Sequence, residues 1–177
     1  MIGIIGAMEV EIEQLRSELI NEKTRHVHGF DFYLGNLLGE EVAIVQCGIG
    51  KVNAAISTTL LIEKFQVSYL INTGVAGALD PALRVGDIVL ADALSYHDVD
   101  VTGFGYEYGQ LPDMPANFYS DSILLRALQN AARVAGVQPV IGRIVSGDQF
   151  VESQQRIEAI KEHYPRARAV EMESAAI

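Results

Sequence analysis

Two carboxylates, Glu171 and Glu173, stand where the apolar run Ala167–Val170 gives way to Ser-Ala-Ala-Ile177. A strand entering a helix there would put Glu173 at a helix N-terminus, where unpaired N–H groups and the helix dipole favour an anionic acceptor. Only about one turn of that helix is present, so it is either completed by something further or frayed. Three more acids, Glu9, Glu11 and Glu13, follow the apolar run Met1–Ala7. Glu9 and Glu13 read as acids complementing the dipole of a helix start. Glu11 falls between Met8, Ile12 and Leu15 around the helical wheel, nearer the core than a solvated acid belongs. A carboxylate facing a cleft from that position can take a proton from a reacting group.

Two glycine-containing turns complete the candidate chemistry. Thr73-Gly-Val-Ala-Gly-Ala78 follows the buried-type run Val67–Asn72, the place where open α/β sheets form ligand crevices. Its glycines permit close backbone approach, although a tight turn would use them equally well. Val145-Ser-Gly-Asp-Gln-Phe-Val151 ends a second strand-like run. Phe150 is there either as core or as a flat face on which a planar base could stack.

Other chemistries fail on residue type. Gly3-Ile-Ile-Gly6 lacks the third glycine of a dinucleotide fingerprint, and acids occupy the following turn, where they would repel a pyrophosphate. Gly50-Lys51 resembles the end of a phosphate-binding loop, but Val52 stands where Ser or Thr must hold Mg²⁺. The four histidines, His26, His28, His97 and His163, have no metal-type spacing beyond His26-x-His28. No metal or other cofactor is expected. Ser146 has no nucleophile-elbow context, so serine catalysis has no support.

The elements that must position these residues alternate between short apolar runs and helix-period segments. A strand is expected over Met1–Ala7, then a helix with Met8, Ile12, Leu15 and Leu19 on one stripe. Phe32–Leu37 and Val42–Cys47 bracket Gly39-Glu40 as a hairpin. A helix follows over Val52–Phe65 with Val52, Ala55, Ile56, Thr59 and Leu60 inward, and then the strand Val67–Asn72. Asp87–Ala91 and Leu94–Val99 are expected as two strands. The aromatic segment Asp100–Tyr119 has no period and is long enough to be functional. A helix from Asp121 to Ala135 has Ser120 as its expected N-cap and Gly136 beyond its C-terminus. Val140–Val145 reads as a strand, Gln154–Tyr164 as a helix capped by Ser153, and Ala167–Val170 as the last strand. This alternation predicts a three-layer α/β/α fold with a central mixed, largely parallel twisted sheet. Without a linker or repeat, residues 1–177 read as a single domain.

Composition narrows the function classes. At 177 residues and 19.3 kDa, with 49% apolar and 20% charged residues, the chain is globular. A net charge of −10 disfavours nucleic acid and favours a small-molecule partner. The N-terminal run is too short to span a membrane and lacks a basic leader region. Cys47 is the only cysteine, as suits a cytoplasmic location.

In their order, Ile2–Glu11, Gly48–Val52, Asn72–Gly77, Tyr96–Pro112, Ser146–Phe150 and Val170–Glu173 resemble the bacterial 5′-methylthioadenosine/S-adenosylhomocysteine nucleosidases, within the nucleoside phosphorylase superfamily. The resemblance covers essentially the whole chain. It implies irreversible hydrolysis of the N-glycosidic bond, giving adenine and a thioribose product, in a cytoplasmic homodimer. By resemblance, Glu11 is the base that activates water and Glu173 grips the ribose hydroxyls. Met172 and Ile49 line the ribose and 5′-thio region, Phe150 stacks on adenine, the backbone of Val151 hydrogen-bonds the base, and Gly77 supplies backbone. Val101, Phe104, Tyr106 and Pro112 would line the partner subunit's alkylthio pocket.

The chemistry agrees with these assignments. Cleavage at an anomeric carbon builds oxocarbenium character that carboxylates stabilise. Phosphorolysis would need arginines where this chain has acids. Two departures from the family pattern stand out. Val75 replaces a serine common in relatives. The family's general acid, an aspartate in a Ser-Asp pair after a further strand, lies beyond the point where this sequence stops, and Asp148 belongs to a different motif. The sequence alone therefore predicts a chain lacking the family's C-terminal segment and weak or inactive by itself, since a general acid contributes about 10²- to 10⁴-fold. The alternatives are a hydrolase of another purine nucleoside such as futalosine, and a non-catalytic module that binds adenine nucleosides.

Overall fold

The computed structural model describes residues 1–177. They form two compact units, Met1–Val75 with Ala176–Ile177, and Ala76–Ala175.

In the first unit, strands β1 (Ile2–Gly6), β2 (Ile20–Val27), β3 (Phe30–Leu37), β4 (Glu40–Gln46) and β5 (Tyr69–Asn72) make a sheet of order β2-β3-β4-β1-β5. β1 is parallel to both β4 and β5, while β2, β3 and β4 run antiparallel in succession. Helix α1 (Glu9–Ser17) follows β1 and α2 (Lys51–Phe65) follows β4. Ala43 and Val45 of β4 join Ile5, Phe32 and Leu61 in one core; Val42 and Ile44 join Ile4 and Ile12 in another. Burial of both faces explains why this strand reads as a continuous apolar run.

Three features here depart from the sequence expectation. β2 was not expected, because Ile20–Val27 is polar and almost wholly exposed. It is held by a two-residue turn, His28-Gly29, in which both residues have positive φ, the geometry that matches the twist of paired strands. Leu38-Gly39 repeats the device between β3 and β4, one residue earlier than expected. In α2 the expected inward set is largely reversed: Val52 is 68% and Ile56 43% exposed, and Ala55 and Thr59 are exposed too. Of that set only Leu60 is buried, while Ala54, Ser57, Thr58 and Leu61 supply the rest of the packed face. Ser57 tolerates burial because its hydroxyl donates to the Ala54 carbonyl at 3.0 Å.

In the second unit, β6 (Gly77–Ala78), β7 (Val89–Tyr96), β8 (Phe118–Tyr119), β9 (Val140–Ser146) and β10 (Ala169–Glu171) pair in the order β6-β10-β9-β7-β8. β9 is parallel to β7 and β10, whereas β6 and β8 are short antiparallel edges. Helix α3 (Ser122–Val134) precedes β9 and α4 (Gln154–His163) precedes β10. The two strands expected between Asp87 and Val99 are one. β7 is continuous but bulged, with Asp92 and Ala93 inserted between the Ala91↔Gly142 and Leu94↔Ile144 pairs. The N-cap of α3 is Asp121 rather than Ser120; its carboxylate accepts from Ile123 N–H at 2.8 Å and Leu124 N–H at 2.9 Å. Ser153 caps α4 as expected.

No helix is long and apolar enough to cross a membrane.

Candidate active site

The parallel strands of each unit bring their carboxyl ends to one sheet edge, and the candidate residues follow those ends. In the first unit, Gly6 pairs with Gln46 and Ile5 with Asn72. The three chains continue side by side as Ala7–Glu11, Cys47–Gly50 and Thr73–Val75. Main-chain bonds extend the alignment past the strands: Cys47 N–H donates to Gly6, Gly48 N–H to Ala7 and Thr73 N–H to Ile5. Ile49 is exposed at this edge.

Glu11 is the third residue of α1, and its side chain turns back on the helix start. Oε2 accepts Ala7 N–H at 2.7 Å and Met8 N–H at 2.9 Å, the acidic half of a capping box. Oε1 accepts Val75 N–H at 2.9 Å. The carboxylate is thus oriented by three main-chain donors from two loops and is partly exposed. Gly74 lies against it, and a Cβ at that position would stand 2.8 Å from Oε1. The glycine is therefore required by close approach, a role its residue type alone could not distinguish from a turn. Glu9 and Glu13 are exposed, as their dipole role requires.

In the second unit, Tyr96 and Glu171 both pair with Ser146, so the segments after β7, β9 and β10 emerge together. Asp98 accepts Asp148 N–H at 2.8 Å, joining the first two. Glu171 joins the last two: its carboxylate accepts the Ser146 hydroxyl, and its carbonyl accepts Gly147 N–H at 3.2 Å. Glu173 is 8% exposed and Met172 is partly buried. Instead of an α-helix, one 3-10 turn, Ser174–Ala176, follows. Its cap is Glu171, whose Oε2 accepts Glu173 N–H and Ser174 N–H, each at 2.8 Å. Sequence reasoning gave neither Glu171 nor Ser146 a role, because their meeting depends on strand register.

Gly77 sits on β6 opposite Val170, and a Cβ there would meet the Val170 side chain at 3.3 Å. Phe150 is 73% exposed, so of its two readings the core one is excluded. Val151 packs on the cluster of Leu79, Val145, Ile160, Tyr164, Ala167 and Val170.

The aromatic segment is closed at its base, where Gly109 N–H donates to Val99. Tyr108 donates to the His97 carbonyl at 2.7 Å and stacks on the His163 ring. The Tyr164 hydroxyl lies 2.9 Å from the Tyr96 carbonyl and 3.0 Å from that of Tyr108. Burial raises the Tyr164 phenol above its ordinary pKa. Near the tip, Asp100 accepts the Thr102 hydroxyl and N–H, which hold its carboxyl below the ordinary range. Between these ties Phe104 projects, 84% exposed, with Pro112 also exposed and Val101 and Tyr106 partly buried.

The first unit offers a carboxylate fixed by main chain; the second offers a carboxylate on a tightly capped turn and an exposed flat ring. The profile of the phosphorylase superfamily matches residues 1–177. The chain is 50% identical over 177 residues to the 5′-methylthioadenosine/S-adenosylhomocysteine nucleosidase of Staphylococcus aureus strain JH9, covering all of this chain and 78% of that protein. The crystal structure of the Neisseria meningitidis nucleosidase in complex with methylthio-immucillin-A superposes with a TM-score of 0.97 at 47% identity, over 99% of this chain and 76% of that one. The Streptococcus pneumoniae nucleosidase in complex with 8-aminoadenine gives 0.94 at 46% identity, over 99% and 76% respectively. The α/β fold expected from sequence is thus the fold of these enzymes, and the chain belongs to the 5′-methylthioadenosine/S-adenosylhomocysteine nucleosidase family of the phosphorylase superfamily.

Proposed function

We propose that Glu11 activates the water and Glu173 holds the ribose in the reaction of this family, hydrolysis of the N-glycosidic bond of 5′-methylthioadenosine and S-adenosylhomocysteine. The water oxygen bonds to the anomeric carbon as the bond to adenine N9 breaks with its electron pair left on the base; Glu11 takes the proton that the water loses, and the departing adenine takes one from solvent. Both carboxylates offset the positive charge that develops on the sugar. The observation that carries this reading is the Glu11 carboxylate itself, fixed by three N–H donors at a sheet's carboxyl edge.

Phe150, with its exposed ring, is assigned to stack on adenine, and the Val151 backbone to hydrogen-bond it. Met172 and Ile49 border the ribose and its 5′ substituent, and Gly77 provides main chain. We read residues 1–177 as one nucleosidase domain, cytoplasmic and homodimeric. The exposed apolar side chains of Val52, Ile56 and Phe104 support a second copy, with Val101, Phe104, Tyr106 and Pro112 entering its alkylthio pocket. Sedimentation at the mass of a single copy would remove the dimer from this scheme.

The test is adenine release from methylthioadenosine under single-turnover conditions, with futalosine in competition. Cleavage of methylthioadenosine that falls about 10²- to 10⁴-fold in Glu11→Gln supports the reading. Preference for futalosine would reassign the substrate, and binding of both without release would make the chain a binding module.

A further inference from the structure

Glu171 and Glu173 are both carboxylates at the end of β10, but the structure separates their tasks. Oε1 of Glu171 accepts the Ser146 hydroxyl, and Oε2 accepts two consecutive main-chain donors, Glu173 N–H and Ser174 N–H. The next donor, Ala175 N–H, is taken by Ser146 Oγ at 2.9 Å. Ser146 is fully buried and lies directly opposite Glu171 in the β9–β10 register. Two side chains therefore satisfy three successive N–H groups of the final turn, donors that would otherwise be unpaired at a buried chain reversal. These bonds fix the main chain from which the Glu173 side chain departs, and the Glu173 carboxylate itself accepts Met172 N–H at 3.3 Å.

We propose that Glu171, supported by Ser146, is the positioning residue that aims Glu173 at the ribose. This inference rests on the assignment of Glu173 as the ribose grip. Glu171 itself meets only main chain and Ser146 in these bonds, so it acts through Glu173 rather than on substrate. Glutamine at 171 keeps a carbonyl for the two N–H groups and an amide that can donate to Ser146; alanine keeps neither.

The experiment compares the affinity of the full chain for 5′-methylthioadenosine and for its 2′-deoxy counterpart by calorimetry. A charged hydrogen bond to a hydroxyl is expected to give the parent chain a preference for the ribose form of roughly 10- to 100-fold. Glu171→Ala is expected to reduce that preference about 10-fold and Glu171→Gln to keep it within about threefold. A general structural role would weaken both ligands alike and leave the ratio unchanged. If Glu173→Ala abolishes the preference while Glu171→Ala retains it, the positioning role is wrong and the ribose grip stands. If Glu173→Ala retains the preference, the grip is wrong and the positioning role falls with it. Should Glu171→Ala fail to fold, Ser146→Ala takes its place: a reduced ratio supports the proposal and an unchanged one overturns it.

Discussion

The main-chain N–H of Val75 donates to Oε1 of Glu11 at 2.9 Å, joining residues 64 positions apart. This bond ties the loop after β5 to the start of α1. It also gives the neighbouring glycine its purpose, since Gly74 leaves the space that the carboxylate occupies.

Replacing Gly74 by alanine brings a Cβ within 2.8 Å of Glu11 Oε1. The carboxylate must shift, and displacing a reacting group by about 1 Å costs on the order of 10²-fold in rate. Turnover of methylthioadenosine by Gly74→Ala should fall by about that factor. An unchanged turnover number would mean that Glu11 need not hold this position.

Phe150→Ala separates binding from folding. The exposed ring contributes little to the core, so the unfolding free energy should change by no more than about 0.5 kcal/mol. Stacking of a base on an aromatic ring is worth about 1–3 kcal/mol, which predicts a KM for methylthioadenosine raised roughly 10-fold or more. A fall in stability with unaltered KM would return Phe150 to a packing role.

Tyr164 links α4 to the aromatic segment through the carbonyls of Tyr96 and Tyr108. Removing the hydroxyl in Tyr164→Phe leaves these carbonyls short of a donor in a buried setting, at a cost of about 1–3 kcal/mol. Denaturant unfolding reads this directly. A midpoint equal to that of the parent chain would show that other donors replace the phenol.

Asp80 predicts an acid limit. Its carboxyl is held below the ordinary value of 3.8 by the Ala82 N–H and by Arg168, with which it pairs. A lowered folded-state pKa contributes stability that is present above the unfolded value and lost as pH falls through the folded one. Melting temperature should therefore decline below about pH 4 more steeply in the parent chain than in Asp80→Asn. Parallel profiles for the two proteins would contradict this.

An acid on the apolar side of a helical wheel makes Glu11 a candidate in the sequence, and the structure places its carboxylate on N–H groups of its own helix start and of Val75. Glu173 and Phe150 are candidates through the motifs around them. The Glu171–Ser146 bond was not legible in the sequence, since it arises only when β9 and β10 align in parallel with these two residues opposite. Among the fold elements, α2 misled because the buried face is built from small and polar residues, while Val52 and Ile56 face outward. Hydrophobicity identifies residues that prefer burial, not the surface that buries them. β2 escaped notice for the opposite reason: it is polar along nearly its whole length and is specified by the turn that follows it.

All three donors to the Glu11 carboxylate belong to the polypeptide backbone. Every amino acid except proline carries that donor, so exchange of the side chain at exposed position 75 leaves its anchoring bond intact. A lineage can exchange serine for valine at position 75 without loosening the Glu11 carboxylate. Resistance to a compound that exploits this anchoring would have to arise elsewhere in the protein.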